Sequence, residues 1–228
     1  MPNLDWENIN TVLLDMDGTL LDLHFDNYFW IEHLPKKIAE KSGQPIETCR
    51  ADMLAHYERI NGKIEWYCLD YWADYLNMDI VAAKREVEHL ISMRDDTIPF
   101  LDALKESGRE VILVTNAHPD SLSLKVEHTQ LDTHIDQLIS THQFGVTKES
   151  QLLWQRLQQY LGFAPEKTLF VDDSLPILTA AQTFGINHLL AVENPDSKLP
   201  TRTITEFESV SDYRALLEDI ARYPVSHS

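Results

Sequence analysis

Five short apolar runs punctuate this chain, and stretches with helical spacing of apolar residues separate most of them. T-V-L-L-D-M fills 11–16, R-E-V-I-L-V-T follows Gly108, Q-L-I-S-T fills 137–141, K-T-L-F-V-D-D comes shortly after Gly162, and I-N-H-L-L-A-V begins just after Gly185. Runs this short, rich in Val, Ile, Leu and Thr, read as buried strands. Glycine just past a helix end is a stop signal, so 97–107, 120–129, 148–161 and 175–184 read as the intervening helices. The alternation predicts an α/β fold, a five-stranded parallel sheet with helices on both faces.

One interval breaks the alternation. Between Asp22 and about Arg94 there is no strand pattern, only amphipathic segments interrupted by Gly43-Gln44-Pro45 and Asn61-Gly62. An insertion directly after the first strand sits above whatever that strand ends on. Residues 22–94 are therefore predicted to form an all-helical cap, with 1–21 and 95–228 forming the α/β core. After the loop E-N-P-D-S-K-L-P, residues 209–223 are predicted to be a closing helix. The insertion is rich in aromatics: Phe25, Tyr28, Phe29 and Trp30, then Trp66, Tyr67, Tyr71, Trp72 and Tyr75. Phe25, Tyr28 and Phe29 fall on one helical face by their i, i+3, i+4 spacing. Packing cap helices together is the main expected use of these rings; a minority could stack on a planar base, worth roughly 1–3 kcal/mol.

The strand ends carry the chemistry. Asp15 and Asp17 lie two apart, on the same face of an extended chain, and in a parallel sheet the C-terminal edge is where ligands bind. One carboxylate can attack a phosphorus centre while the other handles the leaving group's proton. Gly18 lets the chain turn away without a Cβ near a bound anion. Thr115 and Asn116 end the second strand, where a hydroxyl and backbone N–H groups could hold phosphate oxygens. Lys148 begins a predicted helix, at the end that disfavours a cation unless an anion is bound there. The fourth strand closes on Asp172 and Asp173. Like charges about 4 Å apart repel by roughly 4 kcal/mol at an effective dielectric of 20, so paired acids meeting Asp15 and Asp17 call for a hard divalent cation, and oxygen ligands beside a phosphate favour Mg²⁺.

Composition narrows the setting. The 228 residues are 43% hydrophobic with a formal net charge of -18, which argues against nucleic acid as a partner, because there is no surplus of Lys and Arg to replace counterions. No run approaches the roughly 20 apolar residues that cross a bilayer, and M-P-N-L-D-W-E-N-I-N lacks the regions of a signal peptide, so no membrane association and a cytoplasmic location are expected. Cys49 and Cys68 sit in no C-x-x-C pair and beside no His cluster in sequence, and read as buried or inert thiols.

With D-M-D-G-T-L-L at Asp15, V-T-N at Thr115, Lys148, and V-D-D-S at Asp172 and Asp173 occurring in this order, the chain resembles the haloacid dehalogenase-like (HAD) hydrolase superfamily. The resemblance implies a Rossmann-like sheet and an aspartyl-phosphate intermediate. It implies Asp15 as nucleophile, Asp17 as general acid and then base, and Thr115 and Lys148 as phosphoryl holders. Mg²⁺ would be bound by Asp15, the Asp17 carbonyl and Asp173, with Asp172 supporting the metal shell. Relatives that cleave carbon–halogen bonds lack the second Asp, which phosphatases need. One departure is Ile177, where many members carry an acid.

The segments L-D-L-H-F-D-N-Y-F-W, W-Y-C-L-D-Y-W, D-D-T-I-P-F-L, T-N-A-H-P and V-E-N-P-D-S are similar to the bacterial GMP/IMP 5'-nucleotidase branch, which implies a purine ribonucleoside monophosphate as the small-molecule partner. Two other readings stay open on the residues alone: a phosphatase or mutase for a small sugar phosphate, and a receiver-type phospho-acceptor module. Receivers place their acceptor Asp after the third strand and carry no cap.

Overall fold

A computed structural model describes residues 2–225. Strand β1 (Thr11–Leu14) is buried along its whole length, because it lies between two neighbours in the middle of the sheet. The other strands are β2 (Glu110–Thr115), β3 (Gln137–Ser140), β4 (Thr168–Asp172), β5 (His188–Val192) and β6 (Glu208–Val210). Their order is β3-β2-β1-β4-β5-β6, with every pair parallel. Among the described residues there are six strands where five were expected. The sixth is a three-residue edge strand, too short for periodicity to reveal, and it exists only through its pairing with β5.

Alternating residues feed two cores. Val12, Leu14, Val111, Leu113, Leu169 and Val171 face one side, where α7 (Thr97–Glu106) packs. Leu13, Ile112, Val114 and Phe170 face the other, against α9 (Gln151–Leu161) and α10 (Leu175–Phe184). Such two-sided burial is what a parallel sheet requires.

Six helices lie between β1 and β2: α1 (His24–Tyr28), α2 (Leu34–Ser42), α3 (Ile46–Ile60), α4 (Ile64–Tyr67), α5 (Leu69–Leu76) and α6 (Ile80–Arg85). They pack on a cluster of their own, with Trp72 fully buried among Trp30, Tyr57 and Tyr71 at ring separations of 5.3–5.5 Å. Leu124 of α8 (Pro119–Thr129) joins that cluster from the sheet side.

Three local expectations are corrected. Phe25 and Phe29 are buried but Tyr28 is 37% exposed; it sits at the edge of the shared face, and beyond it the backbone widens into a π-helical turn at Phe29–His33. Helix α9 begins at Gln151, not at Lys148, because the Ser150 hydroxyl accepts from Leu152 N–H and caps the helix there. The closing helix α11 spans only Leu217–Arg222. Ahead of it come β6 and a 3₁₀ turn at Tyr213–Leu216, where the Asp212 carboxylate accepts from the Arg214 N–H and Asp96 from that of Tyr213.

Candidate active site

Register places the acids before any side chain is considered. Leu14 pairs with Leu113 on one side and Val171 on the other, so Asp15 and Asp172 emerge side by side, while Thr115 ends β2 opposite Ser140. Strand order reverses between β1 and β4, and in open parallel sheets the crevice at such a reversal, beyond the carboxyl ends, is the ligand site. All seven residues singled out from the sequence (Asp15, Asp17, Thr115, Asn116, Lys148, Asp172 and Asp173) line one cavity of about 510 Å³ at this edge. Trp30, Tyr57, Trp66 and Tyr67 of the helical insertion form part of its wall.

Lys148 holds the centre together. Its ammonium, 1% exposed, donates to Asp15 Oδ1 at 2.6 Å and Asp172 Oδ2 at 2.7 Å. Burial alone would lower its pKa, but the two carboxylates reverse this and hold it raised, fixing the positive charge. Its backbone is pinned at both ends: its N–H donates to Asn116 Oδ1 at 2.9 Å and its carbonyl accepts from Trp154 Nε1 at 2.8 Å. The Asn116 amide also accepts from the Thr141 hydroxyl and donates to Glu149. The carboxamide is thus committed to fixing the Lys148 loop. Thr115 Oγ1 accepts from Ala117 N–H at 3.0 Å and keeps its hydroxyl proton to donate.

The carboxylates differ in environment. Asp172 is satisfied at both oxygens, by Lys148 and by Ser174 N–H at 2.8 Å. Asp15 Oδ2 accepts from the Thr19 hydroxyl at 3.2 Å, and Thr19 is anchored through its carbonyl by the hydroxyl of Tyr213 at 2.8 Å. Burial, then the charge of Asp172, pushes Asp15 up to about 6. Asp173 accepts no hydrogen bond at its carboxylate from any described group, and burial together with Asp172 and Asp15 raises its pKa well above the usual range. Gly18, with φ of +85°, lies against it; a Cβ there would stand 2.9 Å from Asp173 Cγ.

These residues fit a divalent cation. One oxygen each from Asp15, Asp172 and Asp173 lie within 4.8 Å of one another. Three carboxylates against one ammonium leave a formal charge of -2, the unpaired Asp173 carboxylate is free to ligate, and the donors are hard oxygens.

Asp17 faces elsewhere. Its Oδ1 accepts from the buried Lys125 ammonium at 2.5 Å, which also donates to Asp26 Oδ2 at 2.7 Å; Lys84 donates to Asp26 Oδ1 at 3.2 Å. Burial, then Asp26, pushes Asp17 up to about 6 against the pull of Lys125. Lys84, Lys125 and Asp26 went unnoticed in the sequence. Lysine within an amphipathic helix normally marks its solvated face, and nothing local reveals that Lys125 and Lys84 are 1% and 2% exposed.

The haloacid dehalogenase-like hydrolase family model matches residues 9–185, a span that contains β1, β2, β4 and every strand-tip residue described above. The chain belongs to the haloacid dehalogenase-like hydrolase family. Within it, the chain is 47% identical over 218 residues to the GMP/IMP nucleotidase YrfG of Escherichia coli (strain K12), covering 96% of this chain and 98% of that protein. It is 25% identical to the phosphoglycolate phosphatase of Aquifex aeolicus (strain VF5), covering 81% and 85% of the two chains. The HAD phosphatase from Thermococcus onnurineus superposes with a TM-score of 0.77 over 95% of this chain and all of its own, at 20% identity, and so shares the fold.

Proposed function

We propose that this HAD hydrolase is a Mg²⁺-dependent phosphomonoesterase that works through an aspartyl-phosphate and takes purine ribonucleoside monophosphates, GMP and IMP. One observation carries the reading: Asp15, Asp172 and Asp173 converge around a formal charge of -2 with Lys148 bridging two of them, while a second acid, Asp17, lies two residues from Asp15. The leaving group is read from the 47% identity to the GMP/IMP nucleotidase.

Asp15, the Asp17 carbonyl and Asp173 would hold Mg²⁺, with Asp172 supporting that set. When bound, the ion supplies neutralisation of phosphoryl charge. An Asp15 oxygen attacks phosphorus as the ester P–O bond breaks, and Lys148 and the Thr115 hydroxyl hold the equatorial oxygens. Asp17, as the acid, gives its proton to the departing alkoxide. It then takes a proton from the water that opens the aspartyl-phosphate, releasing inorganic phosphate and restoring Asp15. Asp17 pairs with Lys125 and Asp26, so this work begins with its release from that pair. The insertion, residues 22–94, serves as the cap that excludes water and presents aromatic walls to the base.

Released phosphate measured across a panel of monophosphates with Mg²⁺ tests the proposal. GMP and IMP should be preferred; flat activity on both beside strong sugar-phosphate turnover would end the purine reading, and no phosphate from any ester would end the phosphatase reading.

A further inference from the structure

By sequence Cys68 reads as a buried or inert thiol, in no C-x-x-C pair and beside no His cluster. Folding places it otherwise. It lies between α4 and α5, half-buried, while His118 caps α8 and His142 sits in the 3₁₀ turn Thr141–Phe144. One ligating atom from each of the three lies within 4.8 Å of the others. The two imidazole rings meet edge to face, with centroids 5.2 Å apart.

The hydrogen bonding of His142 is that of a ligating side chain, while His118 caps α8 through Nδ1. His142 Nε2 contacts the Asn116 carbonyl at 3.1 Å; a carbonyl only accepts, so Nε2 carries the proton and Nδ1 keeps its lone pair. Donation of the distal N–H to a carbonyl or carboxylate is how metal-binding histidines are oriented. Burial and the neighbouring His118 hold the His142 pKa below its ordinary value, which keeps the ring neutral. His118 is flanked by carboxylates on both sides, Asp70 at 3.3 Å from Nε2 and Asp120 at 3.7 Å from Nδ1, with Asp120 N–H also directed at Nδ1 at 3.2 Å. The Cys68 thiol makes no hydrogen bond with any described residue.

We propose that Cys68, His118 and His142 form a second metal site, for a borderline-soft divalent ion of the Zn²⁺ type, at the seam between the helical insertion and the sheet. Sulfur and imidazole select Zn²⁺ over Mg²⁺. Tetrahedral bonds of roughly 2.0–2.3 Å require the trio to draw together by about 1 Å, with Asp70 or water as fourth ligand. Binding balances as follows: the thiol loses its proton to solvent and the thiolate bonds to the ion. The single proton of His118 moves from Nε2 to Nδ1, which gives up the Asp120 N–H and donates instead to the Asp120 carboxylate, and Nε2 is freed to ligate.

Cys68 belongs to the insertion, whereas His118 and His142 belong to the sheet side, and His118 lines the cavity. An ion here ties the two halves together beside the cavity mouth. If the insertion must part from the sheet for substrate to enter, Zn²⁺ at this site slows turnover without competing for the carboxylate site. That consequence rests on the phosphatase reading; the site does not.

The full-length chain, saturated with Mg²⁺, is titrated with Zn²⁺ by calorimetry and with Co²⁺ by absorbance, without substrate, so that binding is read independently of activity. One ion per chain and a thiolate-to-cobalt charge-transfer band are expected. Both should persist in Cys49→Ser. In Cys68→Ser the band should vanish, and in Cys68→Ser and His142→Ala Zn²⁺ should bind at least about tenfold more weakly, since even loss of an outer-shell partner commonly costs that much. Cobalt bound with no thiolate band, or Cys68→Ser binding Zn²⁺ as tightly as the wild type, overturns the site. Zn²⁺ inhibition of GMP hydrolysis that disappears in Cys68→Ser supports the tie, and equal inhibition of both overturns it.

Discussion

Replacing Lys125 by Met tests the buried charge cluster behind Asp17 directly. Lys125 and Lys84 face Asp17 and Asp26, two positive charges against two negative, with Lys125 spanning both acids at 2.5 and 2.7 Å. At an effective dielectric of 20, one contact at 2.7 Å is worth about 6 kcal/mol before desolvation is subtracted. Truncating one partner of a buried pair costs about 3–5 kcal/mol in practice. Lys125→Met leaves the cluster at -1 and strips Asp17 of its only hydrogen-bond donor among the described residues, so a loss of about 3 kcal/mol is expected at pH 7.

The loss should shrink at pH 5.5. Without Lys125 the Asp17 pKa rises further above 6, the carboxyl takes up a proton, and the cost of an unpaired charge disappears. Lys125→Met combined with Asp26→Asn restores neutrality as Asp17 against Lys84. The double variant should therefore be more stable than the summed single losses by about 2 kcal/mol, within the range for residues that share a network. Urea unfolding in EDTA, followed by tryptophan fluorescence and by circular dichroism, measures all four proteins. A loss below about 1 kcal/mol for Lys125→Met, or simple additivity in the cycle, would refute the account.

Asp15→Asn should abolish phosphate release while leaving the circular dichroism spectrum unchanged. In metal-free protein its stability should also diverge from wild type with pH. The Asp15 pKa is raised from 3.8 to about 6, so the folded chain binds the extra proton between these values, and wild type loses about 3 kcal/mol relative to the Asn variant as pH rises through that window; parallel stability curves would contradict it. Gly18→Ala puts a methyl 2.9 Å from Asp173 Cγ at a positive φ, and should weaken Mg²⁺ binding in calorimetry; unchanged affinity would show that Asp173 does not depend on this turn. Lys148→Met removes the cation between Asp15 and Asp172 and should lower kcat by about 10²–10³, as loss of one charge-stabilising donor does elsewhere; a tenfold effect or less would show that the ammonium is not facing the reacting group.

Local pattern was enough for five of the six strands and for the acids at their ends. Leu13 and Leu14 followed by Asp15, or Phe170 and Val171 followed by Asp172, announce a buried strand that stops on a charge, because burial on both faces writes a continuous apolar run into the chain. The end of the helix 175–184 could be placed from Gly185, which follows it in a left-handed conformation. The chain also fixed the absence of strands between β1 and β2, since that stretch of sequence has no period of two.

Tertiary structure decided what meets what. The three-residue β6 is a strand only because β5 offers an edge. The reach of Lys125 across to Asp26, 99 residues away along the chain, has no local signature, nor does the meeting of Cys68 with His118 and His142. Periodicity records which face of an element is buried. It does not record which element lies against that face, and the charge on a buried side chain is set by its neighbours in space, which only strand order and the seating of the insertion supply.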